Sequence, residues 1–179
     1  MAHQSGDTIN GIPRVDPHAR TASQRAVARI LSFFGSEPFA SVWRMIGAPL
    51  DPLIIKATRG RMKLSPGAPV LVLTSTGARS RQQRETALAY FTDGDDVVVM
   101  ASNYGGARHP GWYHNLLAHP ECELHIGPRG GHFVAREAQG ADRDRLFALA
   151  VDLLPASRRY PKRTDGVRTI PMLRLTPSS

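Results

Sequence analysis

The chain has 179 residues, 41% of them hydrophobic, and a formal net charge of +8. This length and this hydrophobic content fit one globular domain and exclude an intrinsically disordered protein. No apolar run approaches the roughly 20 residues of a membrane-spanning helix, and the N-terminus lacks the pattern of a signal peptide. We therefore expect a cytoplasmic protein. The single cysteine, Cys122, excludes an internal disulfide and a cysteine-rich metal centre.

The excess of positive charge comes almost entirely from arginine. The sequence has 23 basic and 15 acidic residues, and only Lys56, Lys63 and Lys162 are lysines. The planar guanidinium group suits phosphate and carboxylate, so an anionic ligand is one explanation of the excess. A genomic preference for arginine codons explains it equally well, and a basic surface also suits nucleic acid or anionic lipid.

The first third of the chain has helical rather than strand character. Residues 1–20 lack hydrophobic periodicity, which predicts a mobile tail. Apolar residues recur at steps of three and four over residues 21–34, which predicts an amphipathic helix. A second short helix is expected at residues 39–47, and a basic loop at residues 53–68. We therefore group residues 21–64 as N-terminal helices and a basic loop.

The remaining residues, 65–179, have the pattern of a mainly β domain. Strands are predicted at residues 69–76, 86–91 and 97–102, with an Asp-Gly turn between the last two. Further along, the sequence predicts a helix from Pro110 to Pro120, a hairpin of "CELHI" and "HFVARE" around "GPRGG", a helix over residues 141–154 and a last strand over residues 168–177. Because the strands follow one another as hairpins, we expect an α+β fold with an antiparallel sheet or small barrel and flanking helices.

The segment "TSTGARSRQQRE", residues 74–85, concentrates charge between two apolar runs. Arg79, Arg81 and Arg84 surround Gly77, and hydroxyl side chains precede them. A solvated hairpin tip is the simpler interpretation. An anion-binding turn is the alternative, because arginine forks and hydroxyls are the usual partners of phosphate and carboxylate.

Several common catalytic signatures are missing from the sequence. It has no G-x-G-x-x-G between a strand and a helix, no P-loop and no G-x-S-x-G. His109, His114 and His119 are spaced by five, so neighbours lie about 140° apart on a helix and do not share a face. We therefore predict no metal site. If the protein is an enzyme, a bound cofactor must carry the chemistry.

Three segments together resemble a known family. They are "VLTSTGARSRQQRETAL", "DGDDVVVMASNYGGARHPGWYHNLLAHPECELHI" and "RTDGVRTIPMLRL". Over about residues 65–175 the chain resembles the deazaflavin-dependent nitroreductase family, which uses coenzyme F420. The resemblance implies a split β-barrel of the FMN-binding type. It also implies hydride transfer from F420H2 to an electron-poor acceptor: a quinone, nitroaromatic, enone or lactone.

The first of these segments resembles the family's T-G-[RK]-[RK]-[ST]-G-x-x-R motif, which binds the phosphate and acidic tail of the cofactor. The matching positions are Thr76, Gly77, Arg79, Ser80 and Arg84. Ala78 stands where the motif has a base, and Arg81 stands where it has glycine. Arg81 either supplies the missing charge or faces solvent, and we expect the turn to differ in shape because glycine is lost.

The same resemblance places the cofactor ring beside the strand end and the following helix. The implied ring contacts are Met100, Ala101, Ser102, Asn103, Trp112 and Asn115. Trp112 and Asn115 are three residues apart, so one helix face can present both. A plain core role for Trp112 and a local hydrogen bond for Asn115 are the alternatives. Ser102 and Tyr160 are the candidate catalytic proton donors.

The acceptor is less defined than the cofactor. Relatives bind it with tyrosines in the C-terminal helix region, where this chain keeps only Tyr160 and has Leu154 and Ser157 at two tyrosine positions. We expect a small-molecule acceptor and a monomer or homodimer.

Two other function classes stay open from the sequence. One is an FMN-dependent reductase or oxidase on the same barrel. The other is a non-enzymatic basic module for an anion or nucleic acid, although its few aromatic residues do not alternate with arginines as base-stacking platforms do, so no nucleic acid is expected. Contact of the 21–34 helix with a membrane surface is possible but not favoured.

Overall fold

A computed structural model of the protein describes residues 7–18, 69–154, 157–158, 160 and 168–178. The helices predicted at residues 21–34 and 39–47, and the basic loop before the first predicted strand, lie outside these residues.

Six antiparallel strands form a closed barrel. In chain order the described elements are β1 (Thr8–Ile9), β2 (Ile12–Pro13), β3 (Val70–Thr76), β4 (Gln83–Asp93), β5 (Asp96–Met100), α1 (Gly111–Ala118), β6 (Glu121–Ile126), β7 (Arg129–Glu137), α2 (Gly140–Leu153) and β8 (Met172–Pro177). Around the barrel the strand order is β3-β4-β5-β8-β7-β6, and β6 pairs with β3 to close it. The split-barrel fold class expected from the sequence is confirmed.

Alternation along the strands separates an inner core from outer layers. On β3, Leu71 and Leu73 belong to the main cluster inside the barrel, whereas Val70 and Val72 form a separate outer cluster. Successive side chains of a strand point to opposite faces, so one continuous apolar run fills both layers. The main cluster also contains Trp112 from α1, which therefore packs onto the barrel core.

The antiparallel topology gives the barrel two different ends. The turn between β3 and β4, the loop after β5 and the start of β8 lie at one end. The antiparallel pairings place the end of β3 beside the start of β4, and the end of β5 beside the start of β8. We call this end the loop end. The β4–β5 turn and the β6–β7 turn lie at the other end, which we call the plugged end.

A two-stranded hairpin of β1 and β2 fills the plugged end. Ile9 and Ile12 join the main barrel core, and Ile12 is completely buried. Both turn residues, Asn10 and Gly11, have positive φ, of 44° and 85°. This turn geometry fits the twist of a hairpin. Residues 7–18 therefore differ from the mobile tail predicted over residues 1–20, because two apolar side chains anchor the segment in the core.

Helix α2 packs on the outside of the barrel with the inner face that was predicted for it. Leu146, Ala150 and Leu153 are buried in a cluster with residues of β4, β5 and β8, and Leu149 packs against them. At the helix surface, Arg145 forms two hydrogen bonds to Asp93 at the end of β4. Apolar packing and an ion pair thus fix α2 to the same strands.

The predicted strands are present, but their bounds differ at polar ends. β4 begins at Gln83 rather than at residue 86, and β7 begins at Arg129, so only Gly127 and Pro128 form the turn. These rim residues pair with neighbouring strands although they lack apolar alternation. In the described part of the chain, no helix is long and apolar enough to cross a membrane.

Candidate active site

The turn between β3 and β4 is closed by backbone hydrogen bonds. The N–H of Gly77 donates to the carbonyl of Gln82 at 2.8 Å, and the N–H of Arg81 donates to the carbonyl of Gly77 at 2.9 Å. A Cβ atom at Gly77 would lie 2.5 Å from the Ser80 hydroxyl and 3.1 Å from the Gln82 carbonyl, so any larger residue would displace the Ser80 side chain and crowd the turn. Arg81 has a φ of 59°, in the left-handed region that glycine adopts freely.

Three exposed arginines of this turn have no partner within the described residues. Arg79, Arg81 and Arg84 form no ion pair or hydrogen bond there with their side chains. Arg84 lies opposite Ser75 in the β3–β4 register. Cross-strand partners share a face, and Ser75 is buried, so Arg84 extends from the inner face at the rim of the loop end. Three guanidinium groups are thus available to an anion.

Asn115 on α1 connects the helix to this turn. Its Oδ1 accepts a hydrogen bond from the Ala78 N–H at 3.0 Å, and its Nδ2 donates to the Ser75 hydroxyl at 3.2 Å. The amide of Asn115 thereby fixes the turn from below. Trp112, which was predicted to face the ring together with Asn115, is 7% exposed and packs in the main core.

The loop from Ala101 to Gly106, which we call the glycine loop, follows β5 at the same end of the barrel. It contains one turn of 3-10 helix, in which the N–H groups of Gly105 and Gly106 donate to the backbone carbonyls of Ser102 and Asn103, respectively. Asn103 has a φ of 47°, and its side-chain amide donates to the Arg108 carbonyl at 2.9 Å. The Ser102 hydroxyl forms no hydrogen bond within the described residues.

Arg168 holds the glycine loop from the C-terminal side. Its Nε donates to the Gly106 carbonyl at 3.0 Å, and its two Nη groups donate to the carbonyls of Ser102 and Ala101 at 2.6 and 3.3 Å. Nη1 also lies 3.1 Å from Nδ1 of His109. One guanidinium therefore contacts three backbone carbonyls and one imidazole, and burial lowers its pKa.

The side chains of His109, Tyr113 and Glu137 contact one another in sequence and reach strand β7. The His109 ring packs on Tyr113 with centroids 4.8 Å apart, and the Tyr113 hydroxyl donates to Glu137 at 2.7 Å. Burial and the Glu137 carboxylate raise the pKa of Tyr113 to about 12. Burial, followed by the charges of Arg168 and His114, lowers the pKa of His109. Near neutral pH, Tyr113 is protonated and His109 is uncharged.

The other predicted site residues lie near this end with different surroundings. The Thr76 hydroxyl accepts a long hydrogen bond from Gln83 at 3.4 Å. Ala101 is completely buried in the main core, whereas Met100 points to the opposite face and packs in the α2 cluster. Tyr160 is half-buried in a stretch whose neighbours lie outside the described residues. No group of three His, Cys, Asp or Glu side chains in the described ranges could hold a metal ion.

Two groups of functional or structural importance were missed by the sequence reasoning. Arg168 lies in the quoted segment "RTDGVRTIPMLRL", but its contacts are with residues more than 50 positions away, so no local spacing identifies it. Arg174 and the aspartates around it form a second such cluster. Its members come from β4, β5, α2 and β8, although in sequence their carboxylates appear scattered in turns.

Residues 54–177 match the protein family described as F420H(2)-dependent quinone reductase. A Mycobacterium tuberculosis protein named F420H(2)-dependent quinone reductase is 41% identical over 133 residues, which cover 71% of this chain and 87% of that protein.

Two solved structures are similar in fold and sequence. One, described as an F420-H2 dependent reductase, is 31% identical with a TM-score of 0.54 and covers 60% of this chain and 93% of its own. Another, described as a domain-swapped dimer, is 30% identical with a TM-score of 0.56 and covers 69% of this chain and 92% of its own. The chain therefore belongs to the F420H(2)-dependent quinone reductase family and is an oxidoreductase, not the non-enzymatic module that its composition allowed.

Proposed function

We propose that the protein binds reduced coenzyme F420 at the loop end and transfers a hydride from it to a quinone or a related electron-poor acceptor. The observation that carries the proposal is the turn between β3 and β4, whose three arginines have no partner among the residues that the structure describes, in a chain of this family. By contrast, Arg145 and Arg174 form ion pairs with carboxylates. The unpaired set fits a ligand that brings its own negative charge.

The phosphate and acidic tail of the cofactor are assigned to this turn. Thr76, Gly77, Arg79, Ser80 and Arg84 are the proposed contacts. Besides the side chains, the N–H groups of Arg79 and Ser80 have no hydrogen-bond partner within the described residues. Backbone N–H groups next to arginine forks suit a phosphate oxygen, so the turn fits the polar half of F420. Asn115 contributes by holding the Ala78 N–H and the turn in place.

The flat ring is assigned to the glycine loop and its surroundings. The N–H groups of Ser102 and Asn103 have no partner within the described residues, so they can bond the polar edge of a ring system. Ala101, which follows β5, and Trp112 are proposed to support the ring from the main core, whereas Met100 contributes only its backbone because its side chain packs in the α2 cluster. We propose that these residues also exclude water and fix the ring relative to the acceptor. This orientation lowers the activation barrier of hydride transfer.

When bound, the reduced deazaflavin supplies a hydride from its C5 carbon. A proton must then reach the reduced acceptor, and the proposed donor beside the ring is the hydroxyl of Ser102, which has no hydrogen-bond partner in the described part of the chain. Tyr160 is the proposed wall of the acceptor pocket and the second candidate donor. Tyr113 does not take this role, because its proton is held by Glu137 and its pKa is raised to about 12.

The cofactor assignment is tested by direct binding. Purified protein is titrated into F420 and the quenching of cofactor fluorescence is followed, with FMN titrated in parallel. We expect saturable binding of F420 at micromolar concentrations and no comparable binding of FMN. Tight FMN binding without F420 binding would contradict the proposal and favour the flavin alternative.

The acceptor class is tested with a panel of compounds. Protein and F420H2 are mixed with quinones, nitroaromatics, enones and lactones, and the return of F420 absorbance is followed. Since the relatives are named quinone reductases, we expect quinones to be reduced fastest. Turnover of nitroaromatics alone would overturn the quinone assignment while keeping the cofactor assignment.

A further inference from the structure

Arg168 is a half-buried cation with no carboxylate partner in the described part of the chain. Burial of a charge costs free energy unless hydrogen bonds replace water. Here the replacement comes from the carbonyls of Ala101, Ser102 and Gly106, and from Nδ1 of His109. Four partners around the Arg168 guanidinium are more than is needed to anchor the segment before β8. The arrangement instead fixes the shape of the glycine loop.

The partner on His109 defines the state of that imidazole. Guanidinium nitrogens only donate, so the Nδ1 that faces Arg168 at 3.1 Å must accept and the proton lies on Nε2. His109 is also surrounded by the rings of Tyr113 and His114 and by the charge of Glu137. Arg168 and His114 both oppose a positive charge on the ring, and Glu137 favours it.

We propose that Arg168 is a positioning residue, which holds the glycine loop and the neutral Nε2–H form of His109 in the arrangement that receives the cofactor ring. Arg168 joins the C-terminal segment to a loop more than 60 residues earlier, so the two move as one unit. A lysine cannot replace it, because a single ammonium group cannot span three carbonyls and an imidazole. The inference rests on the proposed binding of the cofactor ring at this loop.

Arg143 provides a matched control. It also donates two hydrogen bonds to a backbone carbonyl of the C-terminal segment, that of Ile170, at 3.0 and 2.8 Å. It does not touch the glycine loop. The variants R168A, R168K and R143A therefore separate the shape of the loop from simple anchoring of the segment before β8.

The first measurement is F420 affinity by fluorescence quenching. We expect R168A and R168K to bind about tenfold or more weakly, since each loses charge-assisted hydrogen bonds to the loop. R143A should bind as the wild type does. Millimolar guanidinium chloride should restore much of the affinity of R168A and leave R168K unchanged. Unchanged affinity in R168A, or an equal loss in R143A, would overturn the inference.

The second measurement needs no cofactor. Nitrogen-15 spectra of the imidazole rings report which His109 nitrogen carries the proton, and amide exchange reports the order of residues 101–106. We expect R168A, but not R143A, to lose the single tautomer and to exchange faster at the loop. Unchanged spectra and unchanged exchange in a folded R168A would refute the proposal that Arg168 holds the glycine loop and the His109 tautomer. Failure of the wild type to bind F420 would instead contradict the proposed function.

Discussion

Arg81 occupies a backbone conformation that favours glycine. Its φ of 59° lies in the left-handed region that glycine adopts freely, and glycine is the residue that the family motif has at this position. The expectation that the turn differs in shape from that of the family stays a prediction, and arginine in this conformation costs about 1–2 kcal/mol relative to glycine. A strained residue persists when something else compensates for it. The guanidinium of Arg81 lies next to the neutral Ala78 and has no partner among the described residues, so we expect charge to be the compensation.

An exchange of the two positions tests this idea. R81G should raise the free energy of unfolding by about 1 kcal/mol, because the strain is relieved, and should weaken F420 binding. Adding A78R to R81G should restore the affinity while keeping the added stability. Chemical denaturation and fluorescence titration measure the two quantities. If R81G binds F420 as tightly as the wild type, Arg81 faces solvent and contributes no ligand contact.

Arg84 carries a more direct prediction. R84A should weaken F420 binding about tenfold or more, since a charge-assisted bond to the cofactor tail is lost. The free energy of unfolding should change little, because Arg84 has no partner in the described residues. R129A is the control, because Arg129 is also an exposed β arginine but lies at the plugged end. Equal affinity of R84A and R129A would refute the assignment.

The hairpin of β1 and β2 is the element that the barrel core depends on at its plugged end. Besides burying Ile9 and Ile12, the segment bonds several strands. Arg14 donates to the Gly94 carbonyl at 2.6 Å and to Asp95 at 2.7 Å, and the Tyr90 hydroxyl donates to the Pro13 carbonyl. These residues lie before the region that matches the family. The hairpin thus lies outside the matched region and closes the core of the barrel.

Truncating one side chain measures this contribution. I12A should lower the free energy of unfolding by about 2–4 kcal/mol, the usual cost of a cavity at a completely buried isoleucine. V134A removes a side chain that is 39% exposed on β7 and should change stability by less than about 0.5 kcal/mol. F420 affinity of folded I12A should stay unchanged, because the proposed site is at the other end. A loss of stability no larger than that of V134A would contradict the role of the hairpin as a plug.

The barrel strands could be predicted because their apolar residues form continuous runs next to turn residues. The hairpin was missed although "INGI" contains an Asn-Gly pair between isoleucines, which is a strong hairpin signal. Two-residue strands are too short to show alternation. At the candidate site, the arginines of the β3–β4 turn could be predicted from the local pattern of charge. Arg168 was not, because its contacts depend on how the end of the chain returns to the glycine loop.

At the scale of the whole molecule, one cluster of ion pairs connects helix α2 to the barrel strands. Arg174 is 9% exposed at its side chain and bonds Asp96, Asp93 and Asp142 at 3.0, 2.7 and 2.8 Å. Arg145 adds bonds to Asp93 and Asp142. The cluster joins β8, β5, β4 and α2 far from the proposed site. Its contribution should therefore appear in stability rather than in cofactor binding.

Acid titration tests this contribution, and the sign follows from Asp93. Hydrogen bonds from Arg145, and then from Arg174, lower the pKa of Asp93 from 3.8 to about 2 in the folded protein. The arginines lower the pKa of Asp142 as well. The unfolded chain therefore binds more protons in this window, so stability is lost as pH falls from about 3.8 towards 2.

Urea unfolding at a series of pH values measures the effect. The wild type should lose stability steadily below about pH 4, and D93N should show a shallower acid dependence because it lacks a titrating group. D95N is the control, since Asp95 is 89% exposed and, among the described residues, is bonded only to the exposed Arg14. It should keep the acid slope of the wild type. Equal slopes in all three proteins would show that the cluster does not link folding to protonation, and would leave apolar packing as the attachment of α2.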